Sequence, residues 1–238
     1  MKKKKNKNDT IKVIIPALNE AASIGKIIQE IPSFVEEIIV VDNNSTDTTA
    51  KVAGQSGATV LEEKQIGYGY ACLRGLTYLE KDPPNIVVFL DGDYSDYPED
   101  MESIVLPIIN KKVDFVLGAR VAQLREPYAL SPQQRYGNAL ACWLLKKLYG
   151  GKFSDLGPFR AIRWNRLKEL KMKDKTYGWT IEMQLKVLRH HIPYLEVPVR
   201  YRNRIGHSKV SGTVKGTLSA GVKILGWIAK FYFLKQSQ

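Results

Sequence analysis

The sequence predicts an α/β domain built on a mostly parallel β-sheet. Short apolar or β-branched runs alternate with longer helical patterns over the first half of the chain, which is typical of parallel strands joined by helices. Polar and acidic residues follow several of these runs directly. In an open parallel sheet the ligand binds beyond the carboxyl ends of the strands, so those residues are the first candidates for a site.

Five runs are predicted as strands, with helical patterns between the first four and before the fifth: Ile11–Ile15, Glu37–Asp42, Ala58–Leu61, Ile86–Leu90 and Val113–Leu117. Ser45 is expected to cap a helix from Thr46 to about Gln55, and Pro98 stands where a first helical residue should be.

After about Leu130 the strict alternation ends. We expect a helix near Gln133–Tyr149 and helical stretches over Arg163–Leu170 and Thr180–His190. A short strand is expected at Pro158–Ile162, and an extended segment at Pro193–Tyr201. No long linker interrupts the 238 residues, so residues 11–213 are predicted to form one domain.

The composition is basic, with 36 Lys and Arg against 24 Asp and Glu, a formal net charge of +12. This charge predicts attraction to polyanions such as phosphorylated substrates or anionic lipids. A nucleic-acid-binding module is not expected, because the sequence lacks the basic and aromatic clusters of such platforms. Cys72 and Cys142 lack metal-ligand spacing and are predicted to be buried free thiols.

Both ends of the chain carry lysines. Residues 1–10 are predicted to be a disordered basic tail, which is either a solubilising arm or an anchor to anionic lipid, and no signal peptide is expected. Residues 214–238 are predicted to form an amphipathic helix, with a polar stripe of Lys215, Ser219, Lys223, Gly226 and Lys230. It is expected either to lie at a membrane interface or to pack on the domain or on a partner.

Two carboxylates follow the fourth strand. Asp91 and Asp93, separated by Gly92, place hard oxygen ligands at the ligand-binding edge of the sheet. Such a pair suits Mg²⁺ or Mn²⁺ held jointly with a diphosphate. A polar turn that caps the helix at Pro98 is the alternative interpretation.

Polar residues also end the first two strands. Pro16, Leu18, Asn19 and Glu20 follow one another at the first, and the segment Asp42–Asp47, which includes Asn44, follows the second. They could jointly contact a ribose and a base, or they could only cap their loops.

With the Asp91 and Asp93 pair, these motifs resemble family 2 glycosyltransferases of the GT-A fold. The stretch from Ile11 to about Thr213 is similar to the dolichyl-phosphate (polyprenyl-phosphate) mannose/glucose synthase branch. The resemblance implies Asp93 as the main metal ligand and Asp91 as its partner. It also implies a nucleotide-sugar site formed by Pro16, Leu18, Asn19, Glu20, Asp42, Asn44, Gly67, Asp91 and Gly92.

The acceptor side resembles that branch at Gly118–Arg120, Arg135, Asp155–Arg160 and Arg204–Lys209. A lipid phosphate is already largely ionised at neutral pH, so its attack on the sugar needs no base. It needs cations that hold two anionic partners together, and these are Arg120, Arg135, Arg204 and Lys209 unless they are solvated surface charges. A sugar-hydroxyl acceptor would instead need a base, for which Glu182 is the candidate.

The sequence departs from the branch at two positions. Tyr68 lies between Gly67 and Gly69 where relatives often have lysine, and Ser95 stands where mannosyl-transferring relatives often have glutamine. The glycines of this turn do not have the spacing of a dinucleotide fingerprint. The resemblance therefore leaves the donor sugar open between UDP- and GDP-linked hexoses.

These expectations combine into one prediction. The chain is expected to be an inverting hexosyltransferase that moves a hexose from a nucleotide-sugar donor to a polyprenyl phosphate, peripheral on the cytoplasmic face of an anionic membrane. An integral-membrane partner or a homo-oligomer is compatible with the sequence. The alternative is a family 2 enzyme that glycosylates a sugar hydroxyl.

Overall fold

The computed structural model describes residues 9–206 and 214–236 and confirms the α/β architecture. Seven strands form one sheet in the order β3-β2-β1-β4-β6-β5-β7. The strands are β1 (Ile11–Ala17), β2 (Glu37–Asp42), β3 (Thr59–Glu62), β4 (Ile86–Phe89), β5 (Phe115–Ala119), β6 (Arg160–Arg163) and β7 (Tyr194–Pro198). Only β6 runs antiparallel to its neighbours, β4 and β5, among the described pairings.

Eight helices are described: α1 (Ile24–Glu30), α2 (Thr49–Gln55), α3 (Tyr68–Leu79), α4 (Met101–Ile109), α5 (Pro132–Tyr149), α6 (Trp164–Leu170), α7 (Trp179–Arg189) and α8 (Val214–Gln236). Pro98 opens a short 3₁₀ turn that leads into α4, as its position predicted. The capping prediction for Ser45 is wrong. Thr48 precedes α2, and the Ser45 hydroxyl instead accepts a hydrogen bond of 2.9 Å from the backbone N–H of Asn19.

Both faces of the sheet are covered, which explains the continuous apolar strands. On β1, Ile14 packs into the layer that holds α3, α5, α6, α7 and α8, while Val13 and Ile15 pack into the layer of α1, α2 and α4. Cys72 and Cys142 are buried as free thiols in the first layer, as predicted.

The C-terminal helix α8 packs on the domain and does not stand apart from it. It contacts α5 and α7, and its Ile228 and Phe231 are buried. The indole N–H of Trp227 donates to Asp174 Oδ2 at 2.6 Å, and Lys223 lies 3.2 Å from the same oxygen. The lysine stripe is therefore partly a docking face, and the exposed side carries apolar residues: Val222, Leu225 and Phe233.

No helix within the described residues has the length and apolarity that crossing a membrane requires.

Candidate active site

The carboxyl ends of β1 and β4 lie side by side, because the two strands pair in parallel from Ile11 with Ile86 onward. Gly92 follows β4 and packs against the end of β1. A side-chain carbon there would lie 3.2 Å from the carbonyl oxygen of Pro16, and the Ser23 hydroxyl donates to the Gly92 carbonyl at 2.7 Å. The glycine thereby fixes Asp91 and Asp93 at the shared strand edge.

Asp93 is buried and fully engaged by the protein. One carboxylate oxygen accepts the backbone N–H of Ser95 at 3.0 Å and its hydroxyl at 2.5 Å. The other oxygen forms an ion pair of 2.8 Å with Arg204. The structure thus brings together the predicted metal ligand and one predicted diphosphate cation, while Ser95 orients the carboxylate.

Asp91, unlike Asp93, has a carboxylate oxygen without a hydrogen bond. Its Oδ1 atom is enclosed and has no hydrogen-bond partner among the described residues. Burial, and then the neighbouring Asp93 charge, raise the pKa of Asp91 to about 7. An enclosed carboxylate of this kind suits a bound cation, because the cation would offset both the cost of burying the charge and the repulsion from Asp93.

Within the described residues no three His, Cys, Asp or Glu side chains are grouped to hold a metal on their own. Mg²⁺ and related ions usually take only one or two protein carboxylates and complete their shell with substrate phosphate and water. The Asp91 and Asp93 pair therefore fits a metal that arrives with a diphosphate.

Asp96 belongs to the same acidic segment, but the sequence did not single it out. Only 2 % of the residue is exposed, and neither carboxylate oxygen has a partner in the described part of the chain. Burial, and then Asp91 and Asp93, raise its pKa well above the ordinary value. Its position in the acidic Asp91–Pro98 segment is the feature of the sequence that could have indicated it.

The turns after β1 and β2 are joined to each other. Pro16 lies within β1, and Leu18, Asn19 and Glu20 form the turn that follows it. The side-chain oxygen of Asn19 accepts the backbone N–H of Thr46 at 2.8 Å. Asn19 has a positive φ of 53°, which asparagine tolerates better than most residues. The predicted nucleotide-side residues of two strands thus form one connected edge.

Asp42 and Asn44 flank Asn43, which no sequence motif singled out. Asp42 ends β2 with its Oδ1 enclosed and without a described partner, and Asn44 is exposed with a φ of 64°. Between them Asn43 is buried, and its Oδ1 accepts the backbone N–H of Gly67 at 2.7 Å. Asn43 also donates to Gln65 at 2.8 Å, so it holds the predicted Gly67 turn against the edge.

Arg120 follows β5 and forms a bidentate pair with Asp155. The Nε to Oδ2 and Nη2 to Oδ1 distances are both 2.7 Å, and the Arg120 backbone N–H also donates to Oδ2. Burial alone would raise the pKa of Asp155, but Arg120 outweighs burial and lowers it. The guanidinium also lies over the ring of Tyr201, 5.1 Å from its centre. Arg120 is thus held in place by the protein.

A cavity of about 360 Å³ opens beside this pair. Arg120, Arg125 and Arg135 all line it, together with Asn138 of α5 and the Ser154–Asp155 segment. Asp155 is the one carboxylate among the described lining residues, and Arg120 neutralises it. Arg135 is exposed and makes no ion pair with a described residue. The cavity is therefore cationic and suited to an anionic group.

Glu182 is not placed as a base. It is completely buried, accepts the backbone N–H groups of Lys173 and Asp174, and forms an ion pair of 2.6 Å with Lys186. These contacts fix the turn before α7. A carboxylate used in this way is a structural anchor and has no free oxygen to offer an acceptor hydroxyl.

Lys209, one of the cations that the sequence predicts near phosphate, lies outside the described residues.

The chain belongs to glycosyl transferase family 2, whose sequence profile matches residues 12–180. An uncharacterised glycosyltransferase of Mycobacterium tuberculosis is 34 % identical over 215 residues, which cover 89 % of this chain and 94 % of the relative. A dolichyl-phosphate hexose transferase of Haloferax volcanii is 30 % identical over 85 % of this chain and 87 % of its own length. The predicted class, a glycosyltransferase enzyme, is confirmed.

Solved structures confirm the predicted GT-A fold. Glucosyl-3-phosphoglycerate synthase from Mycobacterium tuberculosis, crystallised with Mn²⁺, UDP and phosphoglyceric acid, superposes with a TM-score of 0.74 at 23 % identity. The match covers 94 % of this chain and 78 % of that one. Mannosyl-3-phosphoglycerate synthase from Rubrobacter xylanophilus gives 0.73 at 19 % identity, over 97 % and 76 % of the two chains. At this identity the likeness concerns the fold alone.

Proposed function

We propose that this glycosyltransferase moves a hexose from a UDP- or GDP-sugar to a polyprenyl phosphate, with inversion at the anomeric carbon. The cavity lined by three arginines is the observation that carries the proposal. Cations there suit an anionic nucleophile, because guanidinium groups bind phosphate oxygens in pairs. The resemblance to a dolichyl-phosphate hexose transferase supports the same acceptor class.

On the donor side, Asp91 and Asp93 would hold Mg²⁺ or Mn²⁺ against the diphosphate, and Asp42 and Asn19 would lie along the nucleoside. The bound metal would supply positive charge to the departing diphosphate. Arg204, which lies 2.8 Å from Asp93, would share that task. The enclosed oxygen of Asp91 supports this role, because a metal would supply the counter-charge that the protein does not.

In the transfer itself, an oxygen of the acceptor phosphate forms a bond to the anomeric carbon from the face opposite the diphosphate. The bond between that carbon and the diphosphate oxygen breaks, and its electron pair leaves with the nucleoside diphosphate. No proton has to be removed from an ionised phosphate. Arg135 would contact the attacking phosphate, and Arg120, locked by Asp155, would shape the cavity around it.

The buried state of Glu182 favours this acceptor over a sugar hydroxyl. A hydroxyl acceptor needs a base within hydrogen-bond reach. The carboxylate that the sequence offered for that role is taken by Lys173, Asp174 and Lys186.

Two packed helices offer a surface for the membrane in which such an acceptor lies. Helix α5 exposes Tyr136, Leu140 and Trp143, whose spacing of four and three residues places them on one face of the helix. Lys146 and Lys147 follow on the same helix. Helix α8, which contacts α5, also exposes apolar side chains. Apolar side chains flanked by lysines suit an anionic interface. Replacing Leu140 and Trp143 by serine should reduce sedimentation with anionic liposomes, and unchanged sedimentation would contradict this surface.

The direct test of the acceptor is a partition assay. Purified protein is incubated with Mn²⁺, labelled UDP- or GDP-hexoses and a short polyprenyl phosphate in detergent. We expect label in the organic phase, absent when EDTA is added. Label that enters only the aqueous phase, with a free sugar or phosphoglyceric acid as the acceptor, would refute the lipid acceptor.

A further inference from the structure

Tyr94, which follows Asp93 directly, has an unusual backbone conformation. Its φ is 68°, in the left-handed region. A bulky side chain is rare there, because its Cβ crowds the following carbonyl oxygen. The turn at Tyr94 lies between Asp93 and Ser95, and the backbone N–H and hydroxyl of Ser95 both donate to Asp93 Oδ1. The conformation of Tyr94 is therefore part of what arranges the Asp93 carboxylate, and it persists only where surrounding contacts hold it.

Arg202, which lies beyond the end of β7, contacts this turn at three points. Its Nε donates to the Tyr94 carbonyl oxygen at 2.6 Å, and its Nη2 donates to the Asp96 carbonyl oxygen at 3.3 Å. The guanidinium carbon lies over the Tyr94 ring, 3.2 Å from its centre. One guanidinium group therefore binds the backbone on both sides of Ser95 and covers the ring of Tyr94.

Glu30, the last residue of α1, joins the other two side chains. Its Oε2 accepts a hydrogen bond of 2.7 Å from Arg202 Nη2, and its Oε1 accepts the Tyr94 hydroxyl. A planar guanidinium that meets a carboxylate, two carbonyl oxygens and an aromatic face is held in one orientation. Glu30, Tyr94 and Arg202 thus form a closed set of contacts, the Tyr94 cluster, around the left-handed residue.

The segment that supplies Arg202 also supplies Arg204. The Arg202 backbone N–H donates to the Ser95 carbonyl at 2.8 Å, and the Ile205 N–H donates to the Asp93 carbonyl at 3.0 Å. Arg204 lies between these two bonds and forms its ion pair of 2.8 Å with Asp93. The Tyr94 cluster is therefore continuous with both the Asp93 carboxylate and the cation paired with it.

We propose that Arg202 is a positioning residue for Asp93: with Glu30 it holds Tyr94 in the left-handed conformation that presents the Asp93 carboxylate to the metal and the diphosphate. The proposal rests on the proposed function, since it takes Asp93 as the metal ligand. Residues that fix a metal ligand from behind typically contribute about 10- to 100-fold to metal affinity or activity.

The test compares two arginines of the same segment. Arg202→Ala removes the contacts to the turn. Arg200→Ala is the matched control: both guanidinium groups lie over the ring of Tyr97, 4.3 Å and 4.4 Å from its centre, but the described ion pairs of Arg200 go to the carboxylates of the 3₁₀ turn at Pro98. Binding of UDP and GDP is measured by calorimetry in Mn²⁺ and in EDTA, with the unfolding temperature of each variant.

We expect Arg202→Ala to weaken nucleotide binding in Mn²⁺ by about 10- to 100-fold and to leave binding in EDTA unchanged, whereas Arg200→Ala binds like the parent in both. A general loss of structure would weaken binding in both conditions, so the Mn²⁺-specific loss marks positioning. Arg202→Lys keeps the charge but not the planar fork, and it carries the same test if Arg202→Ala does not fold.

A second pair of variants tests the backbone conformation itself. In the Arg202→Ala background, Tyr94→Gly should bind nucleotide in Mn²⁺ about fivefold or more tightly than Tyr94→Ala, because glycine adopts a positive φ without strain and alanine does not.

Equal binding by these two double variants, or equal losses in Arg202→Ala and Arg200→Ala, would overturn the proposal. If the parent requires Mn²⁺ and Arg202→Ala binds like the parent, the positioning role alone is refuted. If the parent binds nucleotide equally with and without Mn²⁺, the metal assignment of Asp93 fails and the proposal falls with it.

Discussion

Two regions of this molecule differ in how their charges are paired. The donor edge is the carboxyl end of β1, β2 and β4, where we propose that the nucleotide-sugar binds, and the acceptor side is the region around Arg120 and Asp155. At the donor edge, Asp42, Asp91 and Asp96 keep enclosed carboxylate oxygens without described partners. On the acceptor side, Arg120 is paired with Asp155 and Glu182 with Lys186. We propose that a cation and a nucleotide complete the first region, whereas in the second these charges are paired within the protein. In the presence of metal, substitutions of the unpaired carboxylates should therefore affect ligand binding most, and substitutions of the paired residues should affect stability most.

The largest effect is expected at Asp93. Asp93→Ala removes the carboxylate that we propose binds the metal and that Ser95 and Arg204 contact. Since a metal ion contributes several kcal/mol to stabilising a departing phosphate, we expect turnover to fall on the order of 10³-fold. Initial rates of sugar transfer measure this, with the unfolding temperature as a check on folding. Turnover within a few-fold of the parent would show that the donor edge does not depend on this carboxylate.

Arg120 should show the opposite behaviour, a loss of stability. Arg120→Ala leaves Asp155 buried and unpaired, which should lower the free energy of unfolding by about 3–5 kcal/mol. Arg200→Ala, which breaks a more exposed pair with Asp100 and Glu99, should cost at most about 1 kcal/mol. Urea denaturation measures both. Equal and small losses would mean that the Arg120 pair is not structural.

Substitution of Arg135, on the acceptor side, is expected to change sugar transfer without changing stability. It is exposed, so Arg135→Ala should leave the free energy of unfolding unchanged. If it contacts the acceptor phosphate, transfer should fall roughly 10- to 100-fold, the worth of one charge-assisted hydrogen bond. Lys112→Ala is the control, because Lys112 is exposed and lies outside both the described cavity lining and the proposed membrane surface. Identical rates for the two variants would remove Arg135 from the site.

The last expected effect is a pH dependence at Asp91. Its pKa is about 7 in the folded protein against an ordinary value of 3.8. The folded state therefore holds the proton that the unfolded state has lost, and stability falls as pH rises between these values. Asn cannot ionise, so without metal Asp91→Asn should gain stability relative to the parent from pH 5 to pH 8. Thermal unfolding in EDTA measures the difference, and a pH-independent difference would contradict the shift.

The donor edge could be predicted because its signals are local. Each candidate residue lies at the end of a strand or directly after it, so the strand pattern itself indicates Pro16, Asp42, Asp91 and Asp93. Asn43 and Asp96 were not predicted, because what distinguishes them is that their polar side chains are buried, and a motif of one or two residues does not show burial.

The acceptor side could be predicted only in part, since its contacts join distant residues. β6 is a four-residue strand that inserts antiparallel between β4 and β5, and its sequence begins and ends with arginine. The Arg120 and Asp155 pair spans 35 positions. The docking of Trp227 on Asp174 spans 53, so the lysine pattern of α8 alone could not show which side faces the domain.

Calorimetric titration of the unaltered protein with UDP and GDP, in Mn²⁺ and then in EDTA, tests most directly whether the donor edge is completed by a metal. The enclosed carboxylate of Asp91 and the oriented carboxylate of Asp93 predict tight binding of at least one nucleotide in Mn²⁺ and at least tenfold weaker binding in EDTA. Equal affinity under both conditions would contradict the account, because the unpaired charges would then need another explanation.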